Sequence, residues 1–260
     1  MYSFFAEESC FANIGLQKSD IVFYRVTDST NTRAREAFLA SPSDAPRLYV
    51  AEEQTAGRGT RGRSFESKPG GLYFSLLYSP EEECDPTGMT AVAAAAVYKA
   101  VRTAIGRKAA GRMLIKWVND VYIDGRKIAG ILSEKITANG RVGYIVGIGI
   151  NLFGRDFSPE VAKIAASVED LTGAAPDKEK LLYEILESLI PALSSPKKSP
   201  LARIYRRHGL PRGTKITVTD ATGNAKEATV MGLGTDFSLL VRYANGECAS
   251  LISGDVTVKL

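Results

Sequence analysis

Three arginines and three glycines fall within seven residues, Gly57-Arg58-Gly59-Thr60-Arg61-Gly62-Arg63. Glycine lets main-chain N–H groups approach a ligand closely, and a guanidinium fork matches two oxygens of a phosphate or carboxylate. The stretch suits an anion, although a solvated surface loop or an Arg-Gly grip on nucleic acid has the same composition. No Gly-Lys-Ser/Thr closes it, so it is not a Walker loop, and it carries no dinucleotide fingerprint. Further on stand Lys116-Trp117-Val118-Asn119-Asp120 and Lys127-Ile128-Ala129-Gly130-Ile131-Leu132, each bringing a lysine to the edge of an apolar run. A lysine there can simply snorkel to solvent; it can equally present a cation to an anionic substrate. Asn119-Asp120 also reads as a turn, and Trp117, the sole tryptophan, as a core aromatic. Asp28-Ser29-Thr30-Asn31 is a run of helix-capping residues that needs no function to explain it. His208, just before Gly209, reads as a helix C-terminal cap and is assigned no chemistry.

Elements must position these groups. A strand is predicted over 21–26, then a helix over 32–40 with Glu36 near its first turn, ended by Pro42 and Pro46. Strands over 47–53 and 72–78 flank the basic loop. Residues 80–87 read as an acidic loop and 89–105 as a buried helix, apolar on most faces. Strands follow over 113–117, 120–123, 128–136 and 143–152. Asp124-Gly125 and Asn139-Gly140 stand where two-residue hairpin turns prefer those dipeptides. The glycines of 143–152 admit close approach of a ligand or a neighbouring backbone. Leu181, Leu182, Ile185 and Leu189 give 178–192 helical spacing; 194–200 interrupts it and 201–208 resumes. From Pro211, short strands over 215–218, 226–231, 239–243, 248–253 and 256–259 predict a small antiparallel barrel. Consecutive strands joined by hairpins make the main domain α+β, with a mixed, largely antiparallel sheet and helices.

A chain of 260 residues, 45% hydrophobic and 24% charged, suits a soluble globular protein of one medium domain and a small one. A net charge of +4 is too weak to demand nucleic acid and is compatible with an anionic substrate. Three scattered cysteines, Cys10, Cys84 and Cys248, predict no disulfide framework and favour a reducing cytoplasm. With one histidine and no Cys-x-x-Cys, a structural zinc site is not expected. The N-terminal Met1-Tyr2-Ser3-Phe4-Phe5-Ala6-Glu7-Glu8 lacks a basic n-region, and no apolar run reaches membrane-spanning length, so neither a signal peptide nor a membrane partner is expected.

Five motifs occur in one order: Asp28-Ser29-Thr30-Asn31, Glu53-Gln54-Thr55-Ala56-Gly57-Arg58-Gly59, Lys116-Trp117-Val118-Asn119-Asp120, Lys127-Ile128-Ala129-Gly130-Ile131-Leu132 and Gly147-Ile148-Gly149-Ile150-Asn151. With the small C-terminal strand module, this resembles the biotin–protein ligase family, from residue 21 to 260. The resemblance implies a catalytic domain over 1–210, like those of class II synthetases and lipoate ligases, and an SH3-like β-barrel over 211–260. It implies two steps. Biotin and ATP give biotinyl-5′-adenylate and pyrophosphate; a lysine on a carboxylase carrier domain then takes the biotin. By motif, Lys127, Arg58, Arg63, Lys116 and Asp120 would be catalytic, with Asp120 helping to place Mg²⁺ or the incoming amine. Ser29, Thr30, Asn31, Gln54, Gly57, Arg58, Gly71, Leu72, Lys127, Gly130 and Ile131 would bind biotin. Arg61, Arg63, Trp117, Asn119 and Asn151 would bind nucleotide. No protein-held metal centre is implied.

Two departures stand out. Many family members have arginine where this chain has Thr60, and proline where it has Val118. The first should weaken retention of the adenylate unless Arg61 substitutes. About twenty residues precede the first predicted strand, too few for a helix-turn-helix, so the resemblance is to the short form without a repressor domain. A sheet edge allows a homodimer. The rivals are a lipoate ligase or octanoyltransferase, and a nucleic-acid-binding protein. The Ser29-Thr30 pair favours biotin, whose ureido group needs polar partners once buried. Asp220, Glu227, Asp236, Glu247 and Asp255 make the C-terminal module mixed in charge, against a nucleic-acid partner.

Overall fold

Two β-arrangements follow from the alternating apolar residues. The computed structural model describes residues 9–43, 45–154, 157–219, 223–252 and 255–258. Residues 1–8, Asp220 and the predicted strand end at Lys259 lie outside these, as do the side chains of Cys10 and Asp255. The first sheet comprises β1 (Ile21–Thr27), β2 (Arg47–Gln54), β3 (Gly71–Tyr78), β4 (Met113–Lys116), β5 (Asp120–Ile123), β6 (Arg126–Ala138) and β7 (Arg141–Asn151), in the order β1-β2-β3-β7-β6-β5-β4. Only β1 and β2 run parallel, joined by helix α1 (Thr30–Ala40); the other neighbours are antiparallel. The hairpins β5–β6 and β6–β7 turn at Asp124-Gly125 and Asn139-Gly140. All four residues have positive φ (49°, 73°, 50° and 74°), as the twist-compatible I′ turn requires.

The sheet has two unlike faces. On one, α2 (Pro86–Ala104), α3 (Lys178–Leu193) and α4 (Pro200–His208) cover Leu72, Phe74, Leu76, Tyr144, Val146, Ile148 and Ile150 in the main core. Helix α2 starts three residues before its predicted start, because Asp85 accepts from the Thr87 N–H (3.0 Å) and Pro86 fills the first turn. On the other face, α1 packs Ala34 and Phe38 against Tyr49, Leu77, Ile136 and Ile145. That helix begins at Thr30, two residues earlier than expected, so Glu36 falls in its second turn and pairs with Arg33. Beyond the N-terminus of α1 no helix among the described residues lies over this face. Successive strand residues point to opposite sides, so Ile145, Gly147 and Gly149 share one face. The two glycines make a floor without side chains.

The second sheet is antiparallel: β8 (Lys215–Thr219), β9 (Ala225–Leu233), β10 (Leu239–Tyr243), β11 (Cys248–Leu251) and β12 (Asp255–Val258), in the order β11-β10-β9-β8-β12. It shares the main core through Phe237, whose ring meets Tyr205 edge-on at 5.6 Å. Cys84 and Cys248 are free thiols. Among the described residues, no helix is long and apolar enough to cross a membrane.

Candidate active site

The basic loop is an irregular hairpin rather than a structureless link. Gln54 N–H donates to Ser67 O (2.9 Å), Phe65 N–H to Gly57 O (2.8 Å) and Gly59 N–H to Arg63 O (2.7 Å). At its tip, Arg61 and Gly62 take φ of 57° and 73°. The hairpin leans over the glycine floor. A Cβ on Gly149 would lie 2.7 Å from the Phe65 ring, and one on Gly147 would collide with Asn31 Oδ1. The result is a narrow cleft lined by Ser29, Thr30, Asn31, Gln54, Arg58, Phe65, Lys127, Gly130 and Ile131, among others.

Its polar end is a network among buried groups. Gln54 Oε1 accepts from the Thr30 N–H (2.8 Å), and Gln54 Nε2 donates to Ser67 Oγ (2.7 Å). Ser75 Oγ donates to Asn31 Oδ1 (2.6 Å). Ser29 occupies the N-cap position of α1 by its backbone, yet its side chain makes no cap hydrogen bond and lines the cleft instead. The capping explanation of this motif therefore does not account for its hydroxyl.

A second cleft adjoins the first and shares Thr60 and Asn119 with it. Arg61, Arg63, Lys116, Trp117, Val118, Asp120 and Ser133 line it, with Pro86, Thr87 and Thr90 from the start of α2. Ile252 and Val256 of the C-terminal module complete the wall, Ile252 being 71% exposed. Lys127 Nζ lies 2.6 Å from Asp120 Oδ1, and the ammonium stands over the Phe65 ring at 5.6 Å. The Lys127 side chain is 22% exposed and that of Asp120 16%. Lys116 Nζ stands 5.4 Å from the centre of the Tyr122 ring, whose hydroxyl is pushed well above the usual phenol range by burial, then by Asp120. Thus Arg58, Arg61, Arg63, Lys116 and Lys127, from three distant segments, line two joined clefts; among the described residues Asp120 is the one lining carboxylate, and Glu134 pairs with Arg58 beside them. Such a field suits two anions brought together.

Several expected residues stand elsewhere. Leu72 points to the α2 face and packs in the main core, because alternation along β3 puts it opposite the cleft-side Tyr73 and Ser75. Gly71 is no pocket wall either: a Cβ there would collide with Tyr73 Oη. Gly57 serves the hairpin's own packing, its Cβ position filled by Phe65 O and Ser67 Oγ. Asn151 is buried at the end of β7 opposite Gly71 and lines neither cleft. Trp117 is 4% exposed and both lines the second cleft and donates its Nε1–H to Phe237 O (2.9 Å), tying in the C-terminal module. Asn119 likewise stitches strands, donating to Ile131 O (3.1 Å). His208 stacks on Tyr98 at 4.6 Å. Sequence reasoning missed Phe65, Glu134, Ser75, Ile252 and Val256. Only Phe65, an aromatic two residues past the last loop arginine, left a local signal.

Among the described residues no cluster of three His, Cys, Asp or Glu side chains could hold a metal ion unaided. A Mg²⁺ ion keeps several waters and needs only one or two protein oxygens; in the second cleft Asp120, already paired with Lys127, and Asn119 would be the residues to supply them.

Known proteins are similar to this chain in sequence and fold. The sequence profile of the Biotin/lipoate A/B protein ligase family matches residues 22–151. The bifunctional ligase/repressor BirA of Bacillus spizizenii is 32% identical over 236 residues, covering 87% of this chain and 70% of that protein. The biotin–[acetyl-CoA-carboxylase] ligase of Paracoccus denitrificans is 38% identical over 173 residues, 65% of this chain and 69% of that one. The structure of biotin protein ligase from Aquifex aeolicus in complex with biotin and ATP superposes with a TM-score of 0.75 at 25% identity, covering 92% of this chain and 98% of that chain. On these grounds the chain belongs to the biotin/lipoate A/B protein ligase family, and within it to the biotin–protein ligases.

Proposed function

We propose that this chain activates biotin with ATP and passes it to a lysine of a carboxylase carrier domain. The observation that carries this reading is the set of five cations lining two joined clefts, with Asp120 the one lining carboxylate among the described residues and Glu134 paired with Arg58. A biotin carboxylate and a nucleotide α-phosphate repel one another, and preorganised cations at their meeting point reduce the barrier as charge spreads over the phosphoryl oxygens. The first cleft takes biotin. Its apolar floor suits the bicyclic head, while Ser29, Thr30 and Gln54, supported by Asn31, face the ureido group. Arg58 and Lys127 meet the carboxylate, and Lys127 reaches on to the α-phosphate. The second cleft takes ATP, with Arg61, Arg63 and Lys116 on the phosphates and Trp117 and Ile252 on the apolar side.

In the first step a carboxylate oxygen bonds to the α-phosphorus as the bond to the β-phosphate breaks and pyrophosphate leaves. In the second, a deprotonated lysine amine attacks the acyl carbon, AMP departs with the electron pair, and the amine's remaining extra proton is lost. A Mg²⁺ ion arriving with ATP would supply neutralisation of the pyrophosphate charge, and Asp120 would be the residue to hold it. We assign these steps to residues 1–210 and a supporting role to 211–260. The test is pyrophosphate release with ATP and biotin, lipoate or octanoate in turn, followed by mass measurement of a carrier domain incubated with the reacting acid. Biotin-dependent release with a single added biotinyl mass is expected. Release with lipoate or octanoate and none with biotin would overturn the substrate assignment.

A further inference from the structure

Glu134 has no part in the reaction as written. On β6 it shares the cleft-side face with Gly130 and Leu132, because alternate residues of a strand point the same way. Its Oε1 accepts from Arg58 Nη2 (3.0 Å) and Arg35 Nη2 (3.0 Å). Its Oε2 accepts from Asn31 Nδ2 (2.9 Å) and Arg58 Nη1 (3.2 Å). Four donors from helix α1 and the basic hairpin thus saturate one carboxylate that is 15% exposed.

A purely structural tie between α1 and the sheet would need only Arg35 and Asn31. The bidentate fork to Arg58 goes further. It fixes a long, half-exposed side chain on a hairpin whose other ties are largely main-chain bonds. Because the fork uses both terminal nitrogens, Arg58 keeps its Nε–H and outer N–H groups for a second anion. A guanidinium held beforehand spares the ligand the entropy of immobilising it.

We propose that Glu134 is a positioning residue that presets Arg58 for the carboxylate of the acid substrate. This rests on the reading of the first cleft as the acid pocket. Glu134→Gln keeps the shape and removes the charge; Glu134→Asp keeps the charge and withdraws it from its four donors. Both should raise the KM for the acid in pyrophosphate release roughly five- to tenfold, with kcat and the KM for ATP within about twofold of wild type. In an Arg58→Ala background neither should have any further effect on that KM.

Three results would overturn the proposal. One is a lowered KM in Glu134→Gln, which would make Glu134 a competitor of the substrate anion. Another is a loss of kcat and thermal stability in both variants that adds to the effect of Arg58→Ala, which marks a structural tie alone. The third is an unchanged KM in both. The comparison is run on whichever acid reacts. Failure of biotin with success of lipoate therefore sinks the biotin assignment but still measures Glu134, and failure of every acid sinks both.

Discussion

In the proposed mechanism adenylation turns on Lys127, and its partner allows a sharp experiment. Lys127 and Asp120 form an ion pair at 2.6 Å, both largely buried, so a lysine variant alters stability and chemistry together. Lys127→Met keeps the stem that packs beside Phe65 and Gly130 and removes the charge. A unit charge about 4 Å from each reacting anion is worth about 4 kcal/mol at an effective dielectric constant near 20. Part of that is already spent on Asp120. A net loss of about 3 kcal/mol of transition-state stabilisation, roughly 150-fold in rate, is in line with removing one preorganised donor from an oxyanion site. The unpaired Asp120 should separately lower stability by about 1–3 kcal/mol. Asp120→Asn in the same chain removes that cost.

The assay is single-turnover formation of the acyl-adenylate, read beside a thermal melt of each protein. Lys127→Met is expected to be slow and less stable, and the double variant at least as slow with its melting temperature largely recovered. If the double variant recovers both together, Lys127 is only the counter-ion of Asp120. Adenylate formation by Lys127→Met within about tenfold of wild type would refute the electrostatic argument outright.

Thr60 lines both clefts where the family resemblance leads one to expect arginine. Thr60→Arg should slow the escape of the adenylate about fivefold in a filter-binding chase, the effect of about 1 kcal/mol from one more cation at a partly exposed site. Ile252, exposed at the wall of the second cleft, should lose much of its surface to a bound nucleotide. Ile252→Asp is then expected to raise the KM for ATP roughly tenfold and to leave biotin binding by calorimetry unchanged. His208, the sole histidine, has its pKa lowered by burial against Tyr98, then by Arg102 and Arg207. The unfolded chain therefore binds the proton more readily, so stability is full above pH 6.5 and is lost as pH falls below that value. The melting temperature should drop between pH 7.5 and 5.5, and His208→Gln should flatten that slope.

The sequence by itself determined most of the elements and pointed to many of the residues that line the two clefts. Asp-Gly and Asn-Gly turns located two hairpins, because few other dipeptides adopt two positive φ angles without cost. Helical spacing of leucines marked α3, and the ordered motifs brought forward the five cations that the structure gathers around the joined clefts. Leu72, Gly71 and Asn151 fall outside the two clefts because a motif names a stretch of chain, while the pleat decides which of its residues face a cleft. Only the tertiary structure could join Glu134 to Arg58, 76 residues away, and to Asn31, 103 residues away. It alone could bring Ile252 to the wall beside Trp117. Local propensity acts over a few neighbours, and turn chemistry fixes how one strand returns on the next. Which strand then lies between which others, and what closes over the glycines of β7, is set by burial of the whole sheet, to which every distant segment contributes.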